Sequence, residues 1–233
     1  MRNLTDKAII LTGAGGAIAG AVAEAYRRAG AAPILVDRDA VRIQGLANTL
    51  QAPVIEADVA TAAGAKEMVE QALSLHGRVD GLVHLVGEVV VGETHELDED
   101  AYDIVFDSNV RSLFYSVRAV LPEIKARGEG FIAGIASREA WGGHGESGRG
   151  LFAAAKCAVA AYLRSLDAEL EQTRIDVAIL YPMGLVDTAT NRRALARNGV
   201  KLLRPNALAE ALLQAALGDD DGRLIEIPVY PPR

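Results

Sequence analysis

Short apolar runs recur along the chain, and each is followed by a stretch in which apolar residues return every three or four positions. This alternation predicts strands and helices in turn. Ala8 to Leu11 reads as a strand ending at Thr12-Gly13, and helical spacing then covers 17–29, closed by Gly30. Pro33 to Val36 is a second strand, 39–50 a helix, PVIEADV a third strand with Asp58 at its end, and 61–75 a helix stopped by His76-Gly77. DGLVHLVG is apolar throughout, as expected of a strand covered on both faces. A polar stretch, 88–99, leads into a long helix over 98–127 that Pro122 is expected to kink or interrupt. GFIAGIAS is the fifth strand, REAWGGHGESGRG a glycine-rich loop, 151–171 a helix and IDVAILY a strand. An irregular segment from Pro182, a helix over 206–217 and the strand GRLIEIPV complete the series. Strands alternating with helices at this spacing predict an α/β fold with a doubly wound parallel sheet and right-handed crossovers.

Composition narrows the class. A length of 233 residues with 50% hydrophobic content suits a single α/β domain over 1–233. No apolar run is long enough to span a bilayer, and the first residues lack a leader pattern, so a soluble cytoplasmic protein without a membrane partner is expected. The net charge of -7, with no basic block, argues against nucleic acid. The one cysteine, Cys157, is expected to be a small buried helix residue. The histidines, His76, His84, His95 and His144, show no ligand spacing, so no metal site is expected.

Candidate chemistry concentrates first in KAIILTGAGGAIAGAVAEAYRRAGAAPILVD, from Lys7 to Asp37. A strand, a glycine-rich turn, a helix and a second strand ending in an acid are what a dinucleotide requires. The turn lets backbone N–H groups approach a pyrophosphate, the helix N-terminus adds its dipole, and the acid reaches a ribose. Gly13, Gly15, Gly16 and Ile18 form the turn. Asp37 places negative charge where the 2′-phosphate of NADP would sit, which favours NAD(H). Arg38 leaves NADP(H) open, since it either swings to a 2′-phosphate or stays a solvated surface residue.

Nearly the whole chain resembles the short-chain dehydrogenase/reductase family. The resemblance rests on TGAGGAIAG, Asp37, Asp58-Val59, Asn109 in SNVRSLF, Ser137, Lys156 in FAAAK, and PMGLVDT from Pro182 to Thr188. It implies a Rossmann-type sheet of about seven strands in the order 3-2-1-4-5-6-7, with helices on both faces. It also implies hydride transfer between a nicotinamide and a carbonyl or alcohol. In the glycine motif, Ala17 and Ala19 depart from the family's usual TGxxxGxG; read as TGxxGxxG, Gly16 matches and only Ala19 departs. By the resemblance, Asp58 and Val59 hold the adenine, although Asp58 reads equally as a helix cap. Gly87 keeps the close backbone approach in a strand end where His84 departs from the family's NNAG. Val186 and Thr188 fall on the segment that clasps the nicotinamide carboxamide, with Met183 inserted before it.

The catalytic set that the resemblance carries over is Ser137 to orient the substrate oxygen, Lys156 to bind the nicotinamide ribose, and Asn109 to support a water bridge to that lysine. The family's proton donor is a tyrosine one helical turn before the lysine, on the same face. This chain has Phe152 there. Phenylalanine has no exchangeable proton, so either turnover is weak or another group substitutes, with Tyr181 and His144 as candidates. The spacing from Ser137 to Phe152 is longer than the family's, implying an insertion in the glycine-rich loop. Three functions follow: an NAD(P)-dependent oxidoreductase with an altered site, a non-catalytic dinucleotide-binding or interaction protein, or another reaction, such as epimerisation or lyase chemistry, on the same fold. The resemblance further implies a homodimer or homotetramer built on the long helices, and a small-molecule substrate chosen by the 138–150 loop and a lid over 189–204.

Overall fold

The computed structural model describes residues 3–143, 145–195, 201–218, 223 and 225–232. In chain order its first half comprises β1 (Ala8–Thr12), α1 (Ala19–Arg28), β2 (Ala32–Asp37), α2 (Ala40–Leu50), β3 (Val54–Glu56), α3 (Ala62–His76) and β4 (Gly81–His84). Then come α4 (Glu99–Phe106), a π turn (Asp107–Arg111), α5 (Ser112–Arg127) and β5 (Glu129–Ile135). The last part holds α6 (Arg138–Gly142), α7 (Gly150–Glu169), β6 (Arg174–Pro182), α8 (Ala189–Leu195), α9 (Pro205–Leu217) and β7 (Glu226–Val229). The strands form one sheet in the order β3-β2-β1-β4-β5-β6-β7, parallel at every pairing.

The apolar alternation explains the layers. Ile10 and Val36 face one buried cluster with Met68, Val117 and Leu163 of α3, α5 and α7. Ile9 and Leu11 face the opposite cluster with Val22 of α1 and Leu212 of α9. Successive strand side chains point to opposite faces, so a strand covered on both sides must be apolar at every position. The reversal of strand order between β1 and β4 opens a crevice at the carboxyl edge of the sheet, where such folds bind ligands.

Helix ends follow local chemistry. Thr61 caps α3 by accepting from the Gly64 N–H at 3.0 Å, and Asp39 caps α2 by accepting from the Val41 N–H at 3.1 Å. Gly30 follows α1 at φ +89 and Gly77 ends α3 at φ +65, conformations that favour glycine. The Asp58 carboxylate accepts from the Ala60 N–H at 3.0 Å, so it bends the chain ahead of α3 and leaves the cap to Thr61. A Cβ on Gly64 would overlap the Asp58 carbonyl oxygen, so that glycine lets α3 start directly against the loop carrying Asp58.

Four expectations need correction. The helix over 98–127 is not uniform, because the π turn at Asp107–Arg111 interrupts its α geometry. Pro122 does not end it; α5 runs through to Arg127, with the proline on an exposed face. The glycine-rich loop contains α6. Cys157 is exposed: Ala155, Lys156, Val159 and Ala160 take the inward face of α7, and the cysteine lies off that stripe.

Candidate active site

At the start of the crevice Gly13 adopts φ +71, and a Cβ there would lie 2.9 Å from the Val86 nitrogen. A side chain would therefore be strained and would collide with the end of β4. Beyond it, the Gly15 N–H donates to Asp37 Oδ2 at 2.8 Å and the Asp39 N–H to Asp37 Oδ1 at 3.2 Å. The carboxylate is thus fixed against the turn, beside a cavity of about 620 Å³. Gly13, Gly15 and Gly16 line this cavity on one side and Asp37 and Arg38 on another, with Asp58, Val59 and Gly87 completing the candidates found there. Ile18 stands at the N-cap of α1, packed partly into the core and away from the lining.

The lining also contains residues the sequence reading passed over. Arg42, on the first turn of α2, donates from Nη2 to the Gly15 carbonyl at 3.4 Å. Its sequence signal was its place one turn beyond Asp37. Glu88, Asp103 and Asp107 add carboxylates on the far wall, and Arg38 Nη2 stands 3.9 Å from Glu88 Oε1 across the mouth.

The π turn builds the inner end of the crevice. Asn109 is 1% exposed, and its Nδ2 donates to the carbonyls of Val105 and Glu88, both at 2.8 Å. The Glu88 N–H in turn donates to Ser108 Oγ at 3.0 Å. The loop after β4 is thereby fastened to the helix, and π turns of this kind recur at functional sites. Asn109 Oδ1 is buried without a hydrogen-bond partner among the described residues. A Cβ on Gly87 would sit 2.5 Å from that oxygen and 3.0 Å from Lys156 Nζ, so Gly87 joins the outer cavity to the lysine.

Lys156 on α7 donates to the Ile135 carbonyl at 2.8 Å. Burial lowers its pKa to about 8, partly offset by the Glu139 carboxylate. Ser137 follows β5, buried, with Oγ unpartnered among the described residues. Phe152 lies one turn before the lysine; Lys156 Nζ is 5.7 Å from its ring centroid, and the Arg149 guanidinium stacks over the ring at 4.7 Å. Glu139 is 3% exposed and faces Arg149 Nη1 at 3.5 Å, while Arg149 also donates to Glu146 at 3.0 Å. Glu139 and Arg149 meet across the loop, a juxtaposition no local spacing announces.

Other candidates are placed elsewhere. Tyr181 is fully buried; its hydroxyl donates to Glu226 at 3.2 Å and accepts from Arg164 at 3.0 Å, and burial first, then Glu226, pushes its pKa up to about 12. Arg164 on α7 and Glu226 on β7 thus engage the Tyr181 hydroxyl. His144 lies outside the described residues. Val186 accepts from Asn191 Nδ2 at 2.8 Å and bridges to Leu203, while Thr188 Oγ1 accepts from the Asn191 N–H at 3.0 Å. The segment after β6 is thus tied to Asn191 and Leu203, and part of the expected lid, 196–200, lies outside the described residues.

These elements can be set beside known proteins. A family model described as short chain dehydrogenase matches residues 7–199. The chain belongs to the short-chain dehydrogenase family. It is 30% identical, over 99% of its length and 100% of the relative's, to an uncharacterized oxidoreductase of Staphylococcus aureus strain MW2. A similar uncharacterized oxidoreductase of Staphylococcus haemolyticus is 28% identical over the same shares. Among solved structures, the 3-ketoacyl-(acyl-carrier-protein) reductase from Brucella melitensis complexed with NADH aligns with a TM-score of 0.86 at 26% identity, covering 98% of each chain. A metagenomic short-chain oxidoreductase in complex with NADP aligns with a TM-score of 0.85 at 21% identity over 99% of each chain; that likeness concerns the fold alone. Among the described residues, no helix is long and apolar enough to cross a membrane, and no side-chain cluster suits a metal ion.

In this short-chain dehydrogenase chain, His84 is a structural group. The Ser112 hydroxyl spends its proton on the Ser108 carbonyl at 2.5 Å, so His84 Nε2 donates to Ser112 Oγ at 3.0 Å. Nδ1 then accepts from Thr12 Oγ1 at 2.8 Å, which fixes the neutral tautomer. Burial, with the nearby Lys156 charge, lowers the His84 pKa to about 3. Above the unfolded value of about 6.5 both states are neutral; below it only the unfolded chain takes the proton, so stability falls as pH drops toward the folded pKa. The expected result is a loss of about 2 kcal/mol from pH 7 to pH 5 in urea unfolding. The loss should largely disappear in His84→Gln, and an equal slope in both proteins would refute the assignment.

Proposed function

We propose that this chain is an NAD(H)-dependent oxidoreductase interconverting a carbonyl and an alcohol, with Phe152 standing at the family's tyrosine position. One observation carries the reading: Gly87 faces the Asp37-lined cavity on one side and the buried Lys156 and Asn109 groups on the other. The residues present suit the cofactor, since the Gly13 turn leaves no room for a Cβ and the buried Asn109 and Ser137 oxygens lack partners among the described residues. Asp37, already tied to the Gly15 and Asp39 N–H groups, keeps carboxylate lone pairs for ribose hydroxyls. Its charge, with Glu88, Asp103 and Asp107 on the facing wall, favours NAD(H) over the more anionic NADP(H).

The bound nicotinamide would supply or accept the hydride. The protein's part is to hold it with the Gly13–Gly16 turn, Asp58, Val59 and Lys156, and with Val186 and Thr188 at the carboxamide end. Ser137 orients the substrate oxygen, and the loop carrying Glu139 to Arg149 covers the reacting end. A 3-oxoacyl ester is the first carbonyl to try, given the reductase among the structural neighbours. The second reading, a dinucleotide-binding protein without turnover, draws its support from Phe152.

Fluorescence titration with NADH followed by a panel of carbonyl compounds separates the two. Binding with turnover supports the first reading, binding without turnover the second, and no binding removes both. We further propose a cytoplasmic protein acting as one domain and assembling as a homodimer through α5 and α7, where Phe114 is 44% exposed and sits edge-on to Tyr162 at 6.2 Å. Light scattering should show a dimer that Phe114→Glu converts to monomer; a monomeric parent protein would sink this part.

A further inference from the structure

We propose that Lys156 itself gives the proton to the substrate oxygen in reduction and takes it back in oxidation, with Glu139 as the positioning residue that holds its charge. The step rests on the oxidoreductase reading above. Lys156 Nζ lies at the carboxyl edge of the sheet, 6% exposed with its residue, and carries three N–H donors. One is spent on the Ile135 carbonyl at 2.8 Å, which leaves two for the crevice. Ser137, two residues beyond that carbonyl, has a buried hydroxyl without a partner among the described residues. A carbonyl oxygen taken up by Ser137 therefore arrives at the same strand end that fixes the ammonium.

The neighbouring groups offer no better donor. The Phe152 ring fills the space 5.7 Å from Nζ with nothing to ionise. Arg149, over that ring, is already paired with Glu146 and Glu139. His84, from β4, is neutral and spends both ring nitrogens on Thr12 and Ser112. Glu139, from α6, favours the protonated Lys156 and partly offsets the effect of burial, and its Oε1 is buried without a hydrogen-bond partner among the described residues. Asn109 Oδ1, from the π turn, flanks the same bare Gly87 Cα as Nζ, so a water lodged between them can return a proton to the lysine.

The step balances. As the hydride given up by NADH, which is oxidised to NAD+, forms the new C–H bond, the carbonyl π pair moves onto oxygen; an N–H bond of the Lys156 ammonium breaks, the O–H bond forms, and a neutral amine remains to be reprotonated from water. Reduction needs the ammonium, so its rate falls as pH rises through the lysine's value, and oxidation shows the opposite trend.

Two measurements over one pH series test this: acetylation of Lys156 by acetic anhydride in the cofactor-free protein, read by peptide mass spectrometry, and reduction of ethyl acetoacetate by NADH. Both midpoints should coincide below the ordinary lysine value, near the 8 to which burial lowers Lys156. In Glu139→Gln both should move down together, because losing the anion disfavours the ammonium. Lys156→Arg keeps a cation yet cannot release a proton, so it should retain NADH binding and lose the rate and its pH limb. A labelling midpoint that moves while the rate limb stays overturns the proposal. So does turnover by Phe152→Tyr at pH 6.5 where the parent protein is idle. Failure of NADH to bind, or ethyl acetoacetate left untouched by both proteins, overturns the oxidoreductase reading and this step with it.

Discussion

Phe152→Tyr should raise carbonyl reduction by roughly tenfold over the rate Lys156 supports, short of the 10²- to 10⁴-fold that a general acid contributes where none is present. Phe152 and Lys156 share one face of α7, with Nζ 5.7 Å from the ring centroid, so a hydroxyl added to that ring joins the lysine's side of the crevice. Lys156, cationic beside it, would depress the new phenol from its ordinary value near 10. The added oxygen extends in the ring plane and leaves the Arg149 stack above the ring in place. The measurement is kcat on a carbonyl panel with NADH affinity determined in parallel. An unchanged kcat with intact NADH binding would show that a hydroxyl at position 152 does not reach the reacting oxygen.

Asp37→Ser should change the choice of nucleotide, raising the affinity for NADPH relative to NADH by about 10²-fold. One carboxylate a few ångströms from a 2′-phosphate costs about 2–4 kcal/mol at an effective dielectric of 20–40, and each 1.4 kcal/mol is tenfold. Serine retains an acceptor for the Gly15 N–H that Asp37 now engages at 2.8 Å, so the turn keeps a partner while the charge goes. Arg38, 3.9 Å from Glu88 across the mouth, remains next to the altered position to meet the added phosphate. Competitive titration of the two nucleotides reads the ratio; equal ratios in parent and variant would mean that the ribose is held elsewhere.

Much of this architecture was legible because its signals are local. The apolar runs specified the strands, and Asp39, Thr61, Gly30 and Gly77 marked helix ends by chemistry confined to one turn. The resemblance to the dehydrogenase family supplied the strand order that the structure shows. What escaped was set by tertiary contact. The π turn at Asn109 depends on the Glu88 loop that its side chain fastens, and α6 forms where glycine content alone suggested a loop. The outward direction of Cys157 follows from which stripe of α7 meets the core.

The candidate site divides in the same way. Gly13, Asp37, Asp58 and Lys156 could be named from motif positions, and the structure sets them along the crevice edge or its inner end. Glu139 and Arg149 could not be ranked, because their meeting at 3.5 Å results from a loop folding back on itself. Tyr181 attracted attention by standing near the expected nicotinamide, yet Arg164 and Glu226 claim its hydroxyl from elements remote in sequence.

The chain contains one tryptophan, Trp141, on the short helix α6, its ring 4.9 Å from that of Tyr181 and edge-on to it. With 38% of its surface exposed, it straddles solvent and protein at the segment that follows Ser137. Emission excited at the indole band therefore arises from this single point, and a change in colour or quenching on adding nucleotide would report how that segment settles, without any dye attached.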